Sequence, residues 1–138
     1  MNLCSILLLF LLSFSSANTL YTANGKASYY SDRMQGQRTS SGERYDKAKL
    51  TAAHSSLPFN TLVEVTNKAN GKSVIVKIND RMPKSRHSII DLSRAAAKEI
   101  DLIRAGVGSV TIREVKPEEE KQQDVPFVVS ETKTDKSK

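Results

Sequence analysis

Cysteine is all but missing from this 138-residue chain: Cys4 is the only one, and it precedes the first apolar stretch. With no second thiol there is no disulfide, so the fold must be held by its core alone. Long apolar runs are missing as well. Residues 6–12 are nearly all apolar, but a membrane span needs roughly 20 such residues. The two histidines, His54 and His87, stand in no metal-ligand spacing, which together with the lack of cysteine disfavours zinc chemistry. A strand–helix–strand rhythm is absent too, which argues against a parallel α/β sheet.

Three segments remain. Residues 1–17 read as an export signal, with small residues Ser15 and Ala17 at the −3 and −1 positions of a cleavage site before Asn18. No Lys or Arg precedes the apolar core, so a short anchor that stays attached is the alternative. After a lead-in over residues 18–24, residues 25–115 have the length of one small domain. Residues 116–138 open on Lys116-Pro117-Glu118-Glu119-Glu120-Lys121, a composition that cannot offset the entropy of ordering, and a disordered charged tail is expected. No second domain is expected there. Of the net charge of +6, the excess lies between the flanks, where residues 20–115 carry 16 Lys and Arg against 9 Asp and Glu. Such a domain is drawn to nucleic acid, anionic lipid or an acidic wall polymer. Export argues against nucleic acid; a merely solubilising basic surface is the plain alternative.

Within the domain, short alternating runs dominate. Residues 25–30 read as a strand with Ala27 and Tyr29 opposed to Ser28 and Tyr30. The run Leu62–Asn67 alternates cleanly, Asn70-Gly71 marks a hairpin, and residues 73–79 alternate again with Val74, Val76 and Ile78 on one face. A short apolar strand over 89–92, a helix over 94–101 capped by Ser93, and a last strand over 107–115 complete the pattern. Several strands and one helix imply a mainly β, closed or nearly closed barrel.

Chemistry-bearing residues fall on three separate segments: Ser41-Gly42-Glu43-Arg44-Tyr45-Asp46, Thr51-Ala52-Ala53-His54 and Ile78-Asn79-Asp80-Arg81. Period-two alternation puts Asp80 on the face of Val74, Val76 and Ile78. Desolvation there would raise its pKa and suit it to general-acid work; pairing with Arg81 or capping a turn is the structural reading. Asp91, after Ile89-Ile90, is either a second acid whose proton affinity is split from its neighbour's or a group satisfying backbone before the helix. Glu43 follows Gly42, which allows a sharp bend into a cleft, yet a loop carboxylate is ordinarily solvated. His54 can trade a proton near neutral pH or be structural. Tyr29, Tyr30, Tyr45 and Phe59 can stack on sugar rings or pack in the core, Tyr30 being the best platform.

These runs, with Ile89-Ile90-Asp91-Leu92-Ser93, resemble the rare lipoprotein A (RlpA) family of bacterial cell-wall proteins over residues 25–115. The resemblance implies a six-stranded double-psi β-barrel whose crossed strand pairs build a cleft on one side. It implies an endolytic lytic transglycosylase that cleaves peptidoglycan glycan strands between N-acetylmuramic acid and N-acetylglucosamine, leaving 1,6-anhydro ends, with no cofactor or metal. Carried onto this sequence, it makes Asp80 the acid/base, Glu43 and His54 groups that hold the sugar, and Asp91 a backup acid. Asp46, Tyr30 and Arg81 become substrate contacts. An expansin-like module that grips polysaccharide without cutting it, or a hydrolase using water, are the alternatives. Members that give the family its name carry a lipidated cysteine after the apolar stretch; Cys4 lies before it, so a soluble monomer exported to the periplasm or cell wall is expected. Relatives tend to read Asp-Arg-Gly-Pro and an aromatic residue, then Gly-Arg; here Met82, Lys84, His87 and Ser88 stand in that loop, which puts substrate preference in question. His87 receives no role.

Overall fold

The computed structural model describes residues 19–84 and 87–117. The expected export signal at 1–17, Cys4 and the tail from residue 118 onward lie outside the described residues. Six strands close into one barrel: β1 (Thr22–Tyr29), β2 (Thr51–His54), β3 (Leu62–Asn67), β4 (Ser73–Asp80), β5 (Ser88–Leu92) and β6 (Gly108–Val115), with the helix α1 (Arg94–Glu99) between β5 and β6. Around the barrel the order is β1-β5-β2-β4-β3-β6, and β6 pairs back onto β1. Four of the pairings are antiparallel; β1–β5 and β2–β4 are parallel. Closure removes the exposed edges that an open sheet of this size would present.

The alternation legible in the sequence accounts for most of the wall. Val63, Val65, Val74, Val76, Ile78, Ile90, Leu92, Val110 and Ile112 project into one core and are almost wholly buried. The helix packs Ala96 and Ala97 against that core and starts at Ser93, whose hydroxyl accepts from the Ala96 amide at 3.2 Å and donates to the Lys49 carbonyl at 2.6 Å. It ends at Glu99, two residues before the expected point. There Asp101 turns left-handed at φ 56°, and the Leu102 amide closes back onto the Ala97 carbonyl at 2.8 Å. Of the hairpin pair only Gly71 uses positive φ; Asn70 instead accepts from the Lys72 amide and donates to the Ile100 carbonyl.

One expectation needs correction, and one strand was not anticipated. The first strand begins at Thr22, inside the supposed lead-in, because residues 22–27 pair with β6 in unbroken register. Residues 51–54, which lack an apolar–polar alternation, form β2, and all four are buried. This strand is enclosed on both faces, so period two leaves no trace in its composition.

Candidate active site

The site follows from where the two parallel pairs slip. Between β2 and β4 the register runs Ala52↔Ile78 and then Ala53↔Asp80, leaving Asn79 as an extra residue. A bulge of this kind re-aims the side chain that follows it. Ala52 and Ile78 belong to the barrel core, whereas Ala53 belongs to a second, outer cluster with Tyr30, Tyr45 and Met82. Asp80 therefore faces outward with Ala53. Simple alternation had placed it with Ile78; the bulge overturns that. The β1–β5 pair slips in the same way, with Lys26↔Ser88 followed by Ala27↔Ile90, and Ser28 then stands beside Asp91. Asp91 in turn is opposite Ala53. One row, Ser28–Asp91–Ala53–Asp80, thus crosses β1, β5, β2 and β4 on the outer wall. With strands about 4.8 Å apart, the two acidic Cα atoms are roughly 10 Å apart, and the small Ala53 side chain leaves the space between them open. Asp80 and Asp91 line one cleft of about 400 Å³ with Tyr29, Met34 and Arg81.

Asp80 is held on three sides. The Tyr30 hydroxyl donates to its Oδ2 at 2.5 Å, and the amides of Ser40 and Arg81 each donate to Oδ1 at 2.9 Å. Burial pushes this carboxyl up, but the donors outweigh it and keep its pKa below the usual carboxylate value. The expectation of a neutral, desolvated Asp80 is corrected accordingly: with these donors it is an ionised carboxylate at neutral pH. Burial, then the neighbouring Asp80, pushes the Tyr30 hydroxyl up, so it remains a donor. Tyr30 as a whole is 7 % exposed, and its ring packs edge-on against Tyr45, centroids 4.6 Å apart. Tyr30 is thus a clamp for Asp80 and offers no open face for stacking on a sugar. Tyr45 backs it and accepts from the Arg94 amide at 3.1 Å. Asp91 accepts from the Ser28 hydroxyl at 3.0 Å.

The remaining expected residues lie elsewhere. Glu43 does not line the cleft; its exposed carboxylate lies 3.0 Å from the Lys77 ammonium. Asp46 accepts from the Ala48 amide at 3.0 Å and fixes a turn; it does not line the cleft. His54 pairs with Ile90, opposite in facing to Ala53, and so points away from the acidic row. Its Nδ1 accepts from the Ser56 and Leu57 amides at 3.1 and 3.0 Å, which assigns the ring proton of the neutral form to Nε2. Burial, then the Arg81 charge, lowers its pKa. A separate depression of about 220 Å³, lined by Tyr21, His54 and Ile89, shares Met82 and Pro83 with the cleft. Arg81 lines the acidic cleft; its guanidinium lies 4.2 Å over the Phe59 ring and donates to the His54 carbonyl at 3.3 Å. Among the described residues no three His, Cys, Asp or Glu side chains gather to hold a metal ion.

Sequence reasoning missed Ser28, the Ser40 amide and Ala53. Only Ser28 left a signal, two residues before Tyr30 on the same strand face.

A double-psi β-barrel family described as lytic transglycolase matches residues 22–112. The chain belongs to this family. The endolytic peptidoglycan transglycosylase RlpA of Neisseria meningitidis is 47% identical over 97 residues, which cover 70% of this chain and 41% of that protein. The chain therefore spans under half the length of that relative. Among solved structures, the Streptomyces papain inhibitor superposes with a TM-score of 0.57 at 25% identity, covering 70% of this chain and 96% of the inhibitor. An expansin from Clavibacter michiganensis gives a TM-score of 0.57 at 22% identity, covering 70% of this chain and 52% of the expansin, a likeness of fold alone.

Proposed function

We propose that this domain is an endolytic peptidoglycan lytic transglycosylase, cutting the β-1,4 bond between N-acetylmuramic acid and N-acetylglucosamine and leaving a 1,6-anhydro end. The observation that carries the reading is the pair of outward carboxylates, Asp91 and Asp80, flanking Ala53 in a single cleft. Relatives named endolytic peptidoglycan transglycosylase share close to half of its sequence over this region.

In this reading the two carboxylates divide the labour. Asp80, clamped by Tyr30, Ser40 and Arg81, stays ionised and places a fixed negative charge where an oxocarbenium-like transition state develops positive charge. Asp91, the other carboxylate lining the cleft, is then the proton donor in this reading. Asp91 gives its proton to the leaving oxygen as the C1–O4 bond breaks. The sugar's own 6-hydroxyl closes onto C1, and its proton passes to the Asp91 carboxylate, which restores the acid. No water and no second nucleophile enter, unlike ordinary glycosidases. Arg81, at the rim, holds the glycan. Glu43 and His54 support the site from beside and behind it. A cell-wall substrate implies export. No helix among the described residues is long and apolar enough to cross a membrane.

The test is a mass spectrum of glycan strands digested by wild type, Asp91→Asn and Asp80→Asn. Wild type is expected to release anhydro-terminated fragments, and both variants to lose at least about a hundredfold in rate. Glycan binding with no soluble product would favour the expansin-like reading, and reducing ends in place of anhydro ends would favour a hydrolase.

A further inference from the structure

Beyond the cleft lies a second concavity of about 650 Å³, formed by Arg94, Lys98, Asp101, Ile103 and Arg104. Its charge is strongly one-sided. Of its groups, Arg94 already pairs with Asp32 at 3.3 Å, and Asp101 is turned to Lys72 in an ion pair. Lys98 and Arg104 are exposed and make no ion pair or side-chain hydrogen bond among the described residues. Two uncommitted cations therefore face one depression whose only carboxylate is engaged elsewhere. The depression also adjoins the acidic cleft: Tyr29 lines the cleft, and its hydroxyl donates to the carbonyl of Ile103, a wall of the basic pocket, at 2.9 Å.

We infer that this basic pocket is a charge-reading subsite: Lys98 and Arg104 bind a carboxylate carried by the same glycan strand whose bond lies over Asp91. The assignment rests on the transglycosylase reading for the identity of the strand. Neutral β-1,4 N-acetylglucosamine polymers share the backbone of peptidoglycan but carry no acid. A cationic pocket one wall away from the scissile bond separates the two by affinity, because charge-assisted hydrogen bonds to a carboxylate outweigh what a hydroxyl offers in its place. It also gives part of the excess base of residues 20–115 a location and a task, while the acidic row keeps the reacting centre itself negative.

The experiment compares binding of the full chain as Asp91→Asn, which leaves the strand uncut, with and without Lys98→Glu and Arg104→Glu. Ligands are peptidoglycan oligosaccharides, the same oligosaccharides with their carboxylates amidated, and neutral N-acetylglucosamine oligomers of equal length. The charge swaps should weaken binding of the native oligosaccharides about tenfold at low salt. Amidation should cost the same, and the two changes together should cost no more than either alone. Neutral oligomers should bind both proteins equally. Full additivity, or an equal loss with neutral oligomers, overturns the inference while leaving the transglycosylase reading intact. If a glycerol phosphate polymer competes as well as the native oligosaccharides do, the pocket serves a phosphodiester and the inference is again overturned. If no glycan binds to either protein, the transglycosylase reading fails first. Both swapped side chains are exposed, and an unchanged melting temperature verifies that folding is preserved.

Discussion

Changing Tyr30 to Phe removes one oxygen and leaves the packing in place. That oxygen donates to Asp80 at 2.5 Å, while the ring keeps its edge-on contact with Tyr45. A hydrogen bond to a charged group contributes roughly 1.5–3 kcal/mol, and the half-buried position of Asp80 places this one near the lower end, about 1.5 kcal/mol. In a domain of this length each kcal/mol moves Tm by roughly 4–8 °C, so Tyr30→Phe should melt about 6–12 °C below wild type near pH 7. The sign with pH follows from the direction of the shift. Burial opposes ionisation of Asp80, but its donors hold the folded pKa below the unfolded value. Their stabilisation is therefore complete above the ordinary carboxylate range and is lost as pH falls through the folded value. The gap between wild type and Tyr30→Phe should narrow between about pH 5 and pH 2. Tyr45→Phe is the control: its hydroxyl accepts from the neutral Arg94 amide, so its gap should hold constant over the same range. Thermal melts followed by circular dichroism measure both. An undiminished Tyr30→Phe gap at about pH 2 would show that the hydroxyl is not serving an ionised carboxylate, and the assignment of fixed charge to Asp80 would go with it.

Two further substitutions probe the neighbouring strand. His54 is held below its ordinary pKa by burial and by Arg81, so the unfolded chain takes up a proton that the folded one refuses, and stability should fall as pH drops through about 6.5. His54→Asn keeps an acceptor for the Ser56 and Leu57 amides and should flatten that slope in urea titrations; an equally steep variant would locate the slope in another group. Ala53→Leu fills the gap between the two acids and overpacks a cluster in which Ala53 is 1% exposed, at a cost of roughly 1–3 kcal/mol. Release of anhydro fragments should drop far more than the folded fraction does, and a folded Leu variant with wild-type turnover would remove the cleft floor from the mechanism.

Much of the barrel was legible because its strands are enclosed on one face only. Val63 and Val65, and Val74 through Ile78, alternate as a half-buried sheet requires, and Ser93 announces its helix. What stayed hidden was whatever depends on pairing between strands remote in sequence. Strand β2 carries Ala52 on the core side and Ala53 on the cleft side, and two adjacent alanines record neither fact. Glu43 and His54 stand in the motifs that suggested them, but their directions are set by Lys77 and by the Ser56 and Leu57 amides. No local pattern encodes those partners.

The facing of Asp80 shows why the bulges are necessary to the site. Continued alternation from Val76 and Ile78 would aim its carboxylate into a closed apolar barrel, where an unpaired charge is prohibitively costly. One extra residue, Asn79, turns it out to where Tyr30, Ser40 and Arg81 wait as donors. The extra residue in β5 comes two positions before Asp91 and leaves that acid beside Ser28, while Ile90 and Leu92 remain in the core. Parallel pairs that stayed in perfect register would give a sound barrel with its chemistry buried or absent. The same two irregularities that defeat a period-two reading of the sequence are what bring two acids to opposite sides of Ala53.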